Sequence, residues 1–301
     1  MAMRTTLMKG YRKAAFPHHH SDLVHTTIIT FSKLILTSRT SFLQDPASSQ
    51  HILSSIKLPN NPTAKMNTYT ITIQNNSGVF KNYALFTGQP VVTGQVQPKI
   101  WSNVFCTAPC PAGNTATFTV YKQFFALMGT SSGSPQSGVT VTVSGTKNVT
   151  LGKLADDGSL TSGSSVNYIT NDVGTPDAPM LVPSFAQDYL ASGGQPNSFE
   201  IQTTGPFTPP DANQGNWLIG VGGSINGASG PAAMFAPVPN QSYQVKPINV
   251  FWVSTGQYVP GALVDYTMIT KSALKLDFST PSAKPTVTVN NTPEGKLVPL
   301  K

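Results

Sequence analysis

The sequence predicts an all-β fold, an antiparallel β-sandwich or closed, jelly-roll-like barrel of roughly a dozen strands, preceded by a disordered N-terminal segment. Three observations predict it. Short runs rich in Val, Ile, Thr, Tyr and Phe alternate apolar with polar residues from residue 68 onward. Clusters of Gly, Pro, Asn and Ser separate these runs, as tight turns require. No self-similar period emerges, which argues against a propeller or a solenoid.

Taken in order, "TYTITIQ" (68–74) puts Tyr69, Ile71 and Ile73 on one face and threonines on the other, and "NNSG" closes it. "VFKNYALFT" (79–87), "KIWSNVF" (99–105) and "TATFTVYKQFFALM" (115–128) follow as strands. "VTVTVS" (139–144) alternates strictly, and "GT" at 145–146 predicts a hairpin to "KNVTLGKL". Further strands fall at 166–170, 198–203, 216–222, 243–254, 262–270, 273–279 and 286–290. A single short helix is predicted over 183–194, from the cap candidate Ser184 to Gly193. Three long connections remain, at 171–184, 205–215 and 223–242; such loops in a compact domain are usually lids or binding loops.

Composition divides the chain at Met66. Residues 1–65 carry eight basic and two acidic residues, with every His and every Arg of the protein; residues 66–301 carry eleven Lys and ten carboxylates. The first segment therefore reads as a basic leader ahead of an initiator at Met66, with a transit peptide or a functional basic arm as alternatives. Its most apolar run, "TIITFSKLILTS", is broken by Lys33 and too short and polar to span a bilayer, so no secretory signal or membrane span is expected. Cytoplasmic residence follows if Met66 is the start. The 236 residues from Met66 suffice for one β domain with a single large core.

The composition of 66–301 excludes several chemistries. Without His there is no Ser-His-Asp or Cys-His catalysis and no ordinary zinc, copper or non-haem iron site. Without Arg there is no bidentate phosphate clamp. A nearly neutral domain lacks the footprint of a nucleic-acid binder. "GVGGSINGASG" (220–230) has neither GxGxxG spacing nor a following GK[ST], so it predicts no phosphate cradle. The loops "LADDGS" and "NDVGTPD" are oxygen-rich but match no calcium-loop spacing and read as turns. Neither a metal nor a cofactor is expected. Cys106 and Cys110, in "CTAPCPAG", form a CxxxC that is either a small-loop disulfide or two free thiols beside a turn.

What remains for chemistry is aromatic and acidic. Trp101, Trp217, Trp252, Tyr243, Tyr258 and Tyr266 are the candidate ligand-binding residues, because a ring offers a flat apolar face to a sugar or an apolar metabolite. Asp265 and Glu200 are the candidate acid/base residues. Alternation places Asp265 with Leu263, Thr267 and Ile269, either at an edge or partly buried with a raised pKa; Glu200, opposite Phe199 and Ile201, is expected to face water. The leading expectation is a protein that binds a neutral small molecule or glycan through these aromatics and the 205–242 loops. A cofactor-independent cyclase or isomerase acting on an apolar metabolite, and a self-assembling structural or surface protein, are the alternatives. A homo-oligomer fits the sparse charge, 21 charged residues among 236 where about a quarter is usual.

Overall fold

The computed structural model describes residues 68–300. The leader 1–65, its His run and the boundary at Met66 lie outside the described residues.

The chain runs β1 (Thr68–Asn75), β2 (Lys81–Thr87), β3 (Val91–Thr93), β4 (Gln97–Cys110), β5 (Thr115–Ser131) and β6 (Val141–Val149). A small hairpin, β7 (Lys153–Leu154) and β8 (Leu160–Thr161), leads to β9 (Gly163–Asp172), β10 (Leu181–Phe185), β11 (Leu190–Gly194) and β12 (Phe199–Thr204). Helix α1 (Pro209–Gln214) precedes β13 (Trp217–Ile225), β14 (Ala228–Ala236), β15 (Ser242–Lys246), β16 (Val250–Thr255) and β17 (Leu263–Val264). After α2 (Tyr266–Ser272) come β18 (Leu274–Asp277), β19 (Thr286–Asn291) and β20 (Leu297–Pro299).

Twelve strands form one sheet in the order β18-β16-β2-β4-β14-β13-β5-β1-β19-β20, with β17 beside β4 and β6 beside β5. This sheet curls into a large, nearly closed barrel. Contacts across its interior join distant strands: Asn291 Nδ2 on β19 donates to Tyr83 Oη on β2 over 2.8 Å, and the Tyr69 ring lies 4.6 Å from that of Phe278. A six-stranded sheet, β10-β9-β12-β15-β3 with β11 beside β9, lies against the barrel. Its inner face, with Tyr168, Phe199, Ile201 and Tyr243, joins the same core as Ile219 and Phe235. The Phe235 and Tyr243 rings meet edge to face at 5.0 Å. The opposite face of β13 carries Leu218 into a smaller cluster with Trp101, Leu127 and Leu263. Among the described residues no helix is long and apolar enough to cross a membrane.

Several local expectations are corrected. The predicted helix at 183–194 is β10 and β11, both paired with β9, so sheet pairing overrides a weak helical pattern. The predicted strand at 262–270 yields only the two residues of β17 before α2 begins at Tyr266. Residues 243–254 split at Pro247 into β15 and β16, which belong to different sheets. The "GT" at 145–146 is no hairpin turn, because β6 runs through it as one strand. The loop expected at 223–242 is largely the β13–β14 hairpin, turned by Asn226 (φ 49°) and Gly227 (φ 81°), the left-handed pair of a type I′ turn. Two pairings, β1 with β19 and β9 with β12, are parallel in an otherwise antiparallel fold. Cys106 and Cys110 are free and lie on one extended strand, where four residues span about 13 Å, too far for a disulfide.

Candidate functional site

Two of the long connections converge on one open hollow of about 700 Å³, lined by Asp172, Met180, Pro206, Asp211, Gln214 and Trp217 among others. Asp172 ends β9 and organises the loop to β10: its Oδ1 accepts from the backbone N–H groups of Gly174 and Met180, both at 2.9 Å. That leaves Met180 61% exposed at the rim. On the other side, α1 is fixed by a capping box in "TPPD". Thr208 Oγ1 accepts from the Asp211 N–H, and Asp211 Oδ2 accepts from the Thr208 N–H and hydroxyl at 2.8 and 2.7 Å. These bonds hold the Asp211 carboxyl below its ordinary pKa. Neither Asp172 Oδ2 nor Asp211 Oδ1 has a hydrogen-bond partner among the described residues.

The chain leaving α1 sets the position of the Trp217 indole. Gly215 caps the helix, Asn216 takes a left-handed conformation (φ 50°), and β13 begins at the next residue. A Cβ on Gly215 would collide with Trp217 Nε1, so only glycine leaves room for the ring. Beneath it runs a chain of edge-to-face contacts, Trp217 to Phe207 at 5.9 Å and Phe207 to Tyr168 at 5.8 Å. Trp217 is consequently 7% exposed and forms part of the floor of the hollow without an open stacking face.

The remaining candidates are dispersed. Asp265 is the N-cap of α2, accepting from the Thr267 N–H at 3.0 Å and its hydroxyl at 2.7 Å, and pairing with Lys99 Nζ at 2.6 Å. Of the two alternatives for Asp265, the partly buried acid with a raised pKa is overturned. The bond from Lys99, followed by those from Thr267, brings this carboxyl down to about 2. Lys99 also sits 3.9 Å from the centroid of the buried Trp101 ring, linking the two candidates through a lysine. Trp252 Nε1 donates to Tyr266 Oη at 3.2 Å, and Tyr258 packs edge to face on Phe86 at 5.2 Å. Tyr243 is a core residue: its hydroxyl accepts from the Val238 N–H, donates to the Gln95 carbonyl, and is pushed up to about 12 by burial.

Glu200 does not face water as expected; it is 7% exposed. It lies between Ser165 of β9 and Gln244 of β15, its register partners, and β11 covers it, for a Cβ on Gly193 would fall 2.5 Å from Oε2. Burial is the largest influence on its pKa and acts upward. Three donors, Ser165 Oγ, Ser242 Oγ and Gln202 Nε2, outweigh it and bring the pKa below the ordinary value. The sequence reading missed Met180, Asp211 and Gln214. The "TPPD" capping-box pattern was the signal that would have placed a helix, and hence a wall, after residue 208.

No protein-family model matches this chain, and neither a curated protein nor a solved structure matches it.

Proposed function

We propose that this protein binds a neutral, hydroxyl-rich small molecule, a sugar residue of a glycan, in the hollow between α1 and the β9–β10 loop. The observation that carries this reading is the gathering of Asp172, Asp211 and Gln214 around Trp217 and Met180 in a space of about 700 Å³, within the usual range of small-ligand sites. Carboxylate and amide oxygens accept from sugar hydroxyls, and the exposed Met180 side chain takes the apolar C–H face above the buried Trp217 floor. Each carboxylate is held by the backbone through one oxygen and offers the other, so orienting it costs a ligand little.

The cyclase or isomerase alternative has less support. Its two acids, Asp265 and Glu200, are both held below their ordinary pKa values and line neither the hollow nor the small apolar cleft beside Tyr69 and Phe251. Self-assembly through sheet edges also has less support: β10 and β20 carry Pro183 and Pro299, and β18 an exposed Lys275–Asp277 pair at 3.0 Å, which are devices that discourage strand addition. Titrating neutral mono- and disaccharides while following tryptophan fluorescence tests the proposal. A saturable change that weakens about tenfold in Met180→Ala and Asp172→Asn supports it, and a panel with no response sinks it.

A further inference from the structure

A second, separate cavity opens beside the pairing of β5 with β13. It is small, about 30 Å³, and lined chiefly by Tyr69, Phe105, Val120, Phe124, Val221 and Phe251, with Ile248 at its side. At roughly 10–15 Å³ for one water-sized group, two or three such groups fit. All six except Phe124 are more than nine-tenths buried, and although Thr87, Gln123 and Asn249 also stand at the wall, the lining is mostly apolar and suits an apolar guest.

The cavity is framed by irregular strand pairing. Along β5 and β13, Phe124 faces Gly223 but Ser224 faces Tyr121, so Lys122 and Gln123 bulge out of the ladder. Both bulged residues stand at the cavity. Gly222 and Gly223 line it from β13 without side chains. The Lys122 ammonium lies 4.6 Å from the centroid of the Tyr69 ring, over the rim, and pairs with no carboxylate among the described residues. The site therefore combines a slender apolar slot with one uncompensated positive charge at its entrance.

We propose that this cleft binds a short, unbranched aliphatic monocarboxylate, its terminal two or three carbons in the slot and its carboxylate against Lys122. The narrow space selects a straight chain over a branched one. The lysine selects an anion over an alcohol or an amine of the same length.

Calorimetric titration of the full chain with straight-chain acids from propanoate to octanoate, and with hexan-1-ol, hexylamine and 2-ethylbutanoate, tests this. Affinity is expected to rise about fourfold for each of the first methylenes that enter and then to level off. Hexanoate should bind about tenfold more tightly than hexan-1-ol, with hexylamine and 2-ethylbutanoate weaker still. Lys122→Gln should make hexanoate and hexan-1-ol equivalent. Gly223→Ala, whose new Cβ would meet Phe105 Cζ at 3.1 Å, should weaken both ligands together. Unchanged thermal melting of the two variants serves as the folding control for each. The proposal is overturned if the acids do not bind at millimolar concentration, if hexanoate shows no advantage over hexan-1-ol, or if Lys122→Gln leaves that advantage intact. Sugar binding at the hollow is a separate readout, and its failure would leave this result standing.

Discussion

Ser165 Oγ on β9 donates a 2.5 Å hydrogen bond to Glu200 Oε2 on β12, tying together the two strands of a parallel pair through a buried carboxylate. The same hydroxyl accepts from the Gly193 N–H at 2.8 Å, so β11 is fastened to the pair as well. Glu200→Gln should therefore lower stability at pH 7 by about 2 kcal/mol, the scale of a lost charge-assisted hydrogen bond. The sign with pH comes from the lowered pKa. Glu200 contributes stability above its unfolded value, near 4.3, and loses it as pH falls through the lower folded value. Urea unfolding of both proteins from pH 7 to pH 3 should show the difference shrinking on the acid side; a constant difference would contradict this account.

Asp265 gives a second acid-dependent contribution of another origin. With a folded pKa of about 2 against an unfolded value near 3.9, its stabilisation is complete above about pH 4 and disappears as pH falls toward 2. Asp265→Ala should cost about 1 kcal/mol through loss of the helix cap, whereas Asp265→Asn keeps a capping oxygen and should cost less. Adding salt should reduce only the part due to Lys99, because that pair is partly exposed.

What the sequence made legible was whatever obeyed a local period. β1, with Tyr69, Ile71 and Ile73 buried between half-exposed threonines, lies where alternation puts it, and most other strands lie close to their predicted positions. The failures fall where non-local pairing decides. Residues 183–194 read as a helix and become strands because β10 and β11 pair along successive stretches of one edge of β9, the other edge being held by β12. Glu200 alternates as a solvent-facing residue would, and nothing local reveals that "SGGQP" folds over it. The hollow was half legible: Trp217 and the two long connections stand out in the sequence, but their convergence depends on the parallel crossover that sets β12 beside β9.

The Asn226–Gly227 turn should be sensitive to backbone strain. Both residues sit at positive φ, and Asn226 Oδ1 also accepts from the Thr119 N–H at 2.8 Å, bracing the hairpin against β5. Gly227→Val should destabilise by about 1–3 kcal/mol by placing a β-branched residue at φ 81°. Thermal unfolding measures it; a neutral effect would mean that the hairpin has another turn.

The two thiols should stay reduced and react slowly. Burial raises the pKa of both Cys106 and Cys110, which lowers the thiolate fraction, and their separation along β4 forbids a bridge. An aromatic disulfide reagent at pH 8 should label both rapidly only after denaturation. Rapid labelling of the native protein, or an intact mass two hydrogen atoms lighter than the reduced chain, would contradict this arrangement.

The central claim is that ligand recognition occurs between α1 and the β9–β10 loop, and amide chemical-shift mapping tests it most directly. With the isotope-labelled protein titrated by glucose, galactose, mannose, N-acetylglucosamine and cellobiose, at least one sugar should shift residues 172–181 and 206–217 in a saturable manner, and Met180→Ala should weaken that response. Shifts confined to the Lys122 rim or the Trp252–Tyr266 contact, or no saturable shift with any of the five, would contradict it.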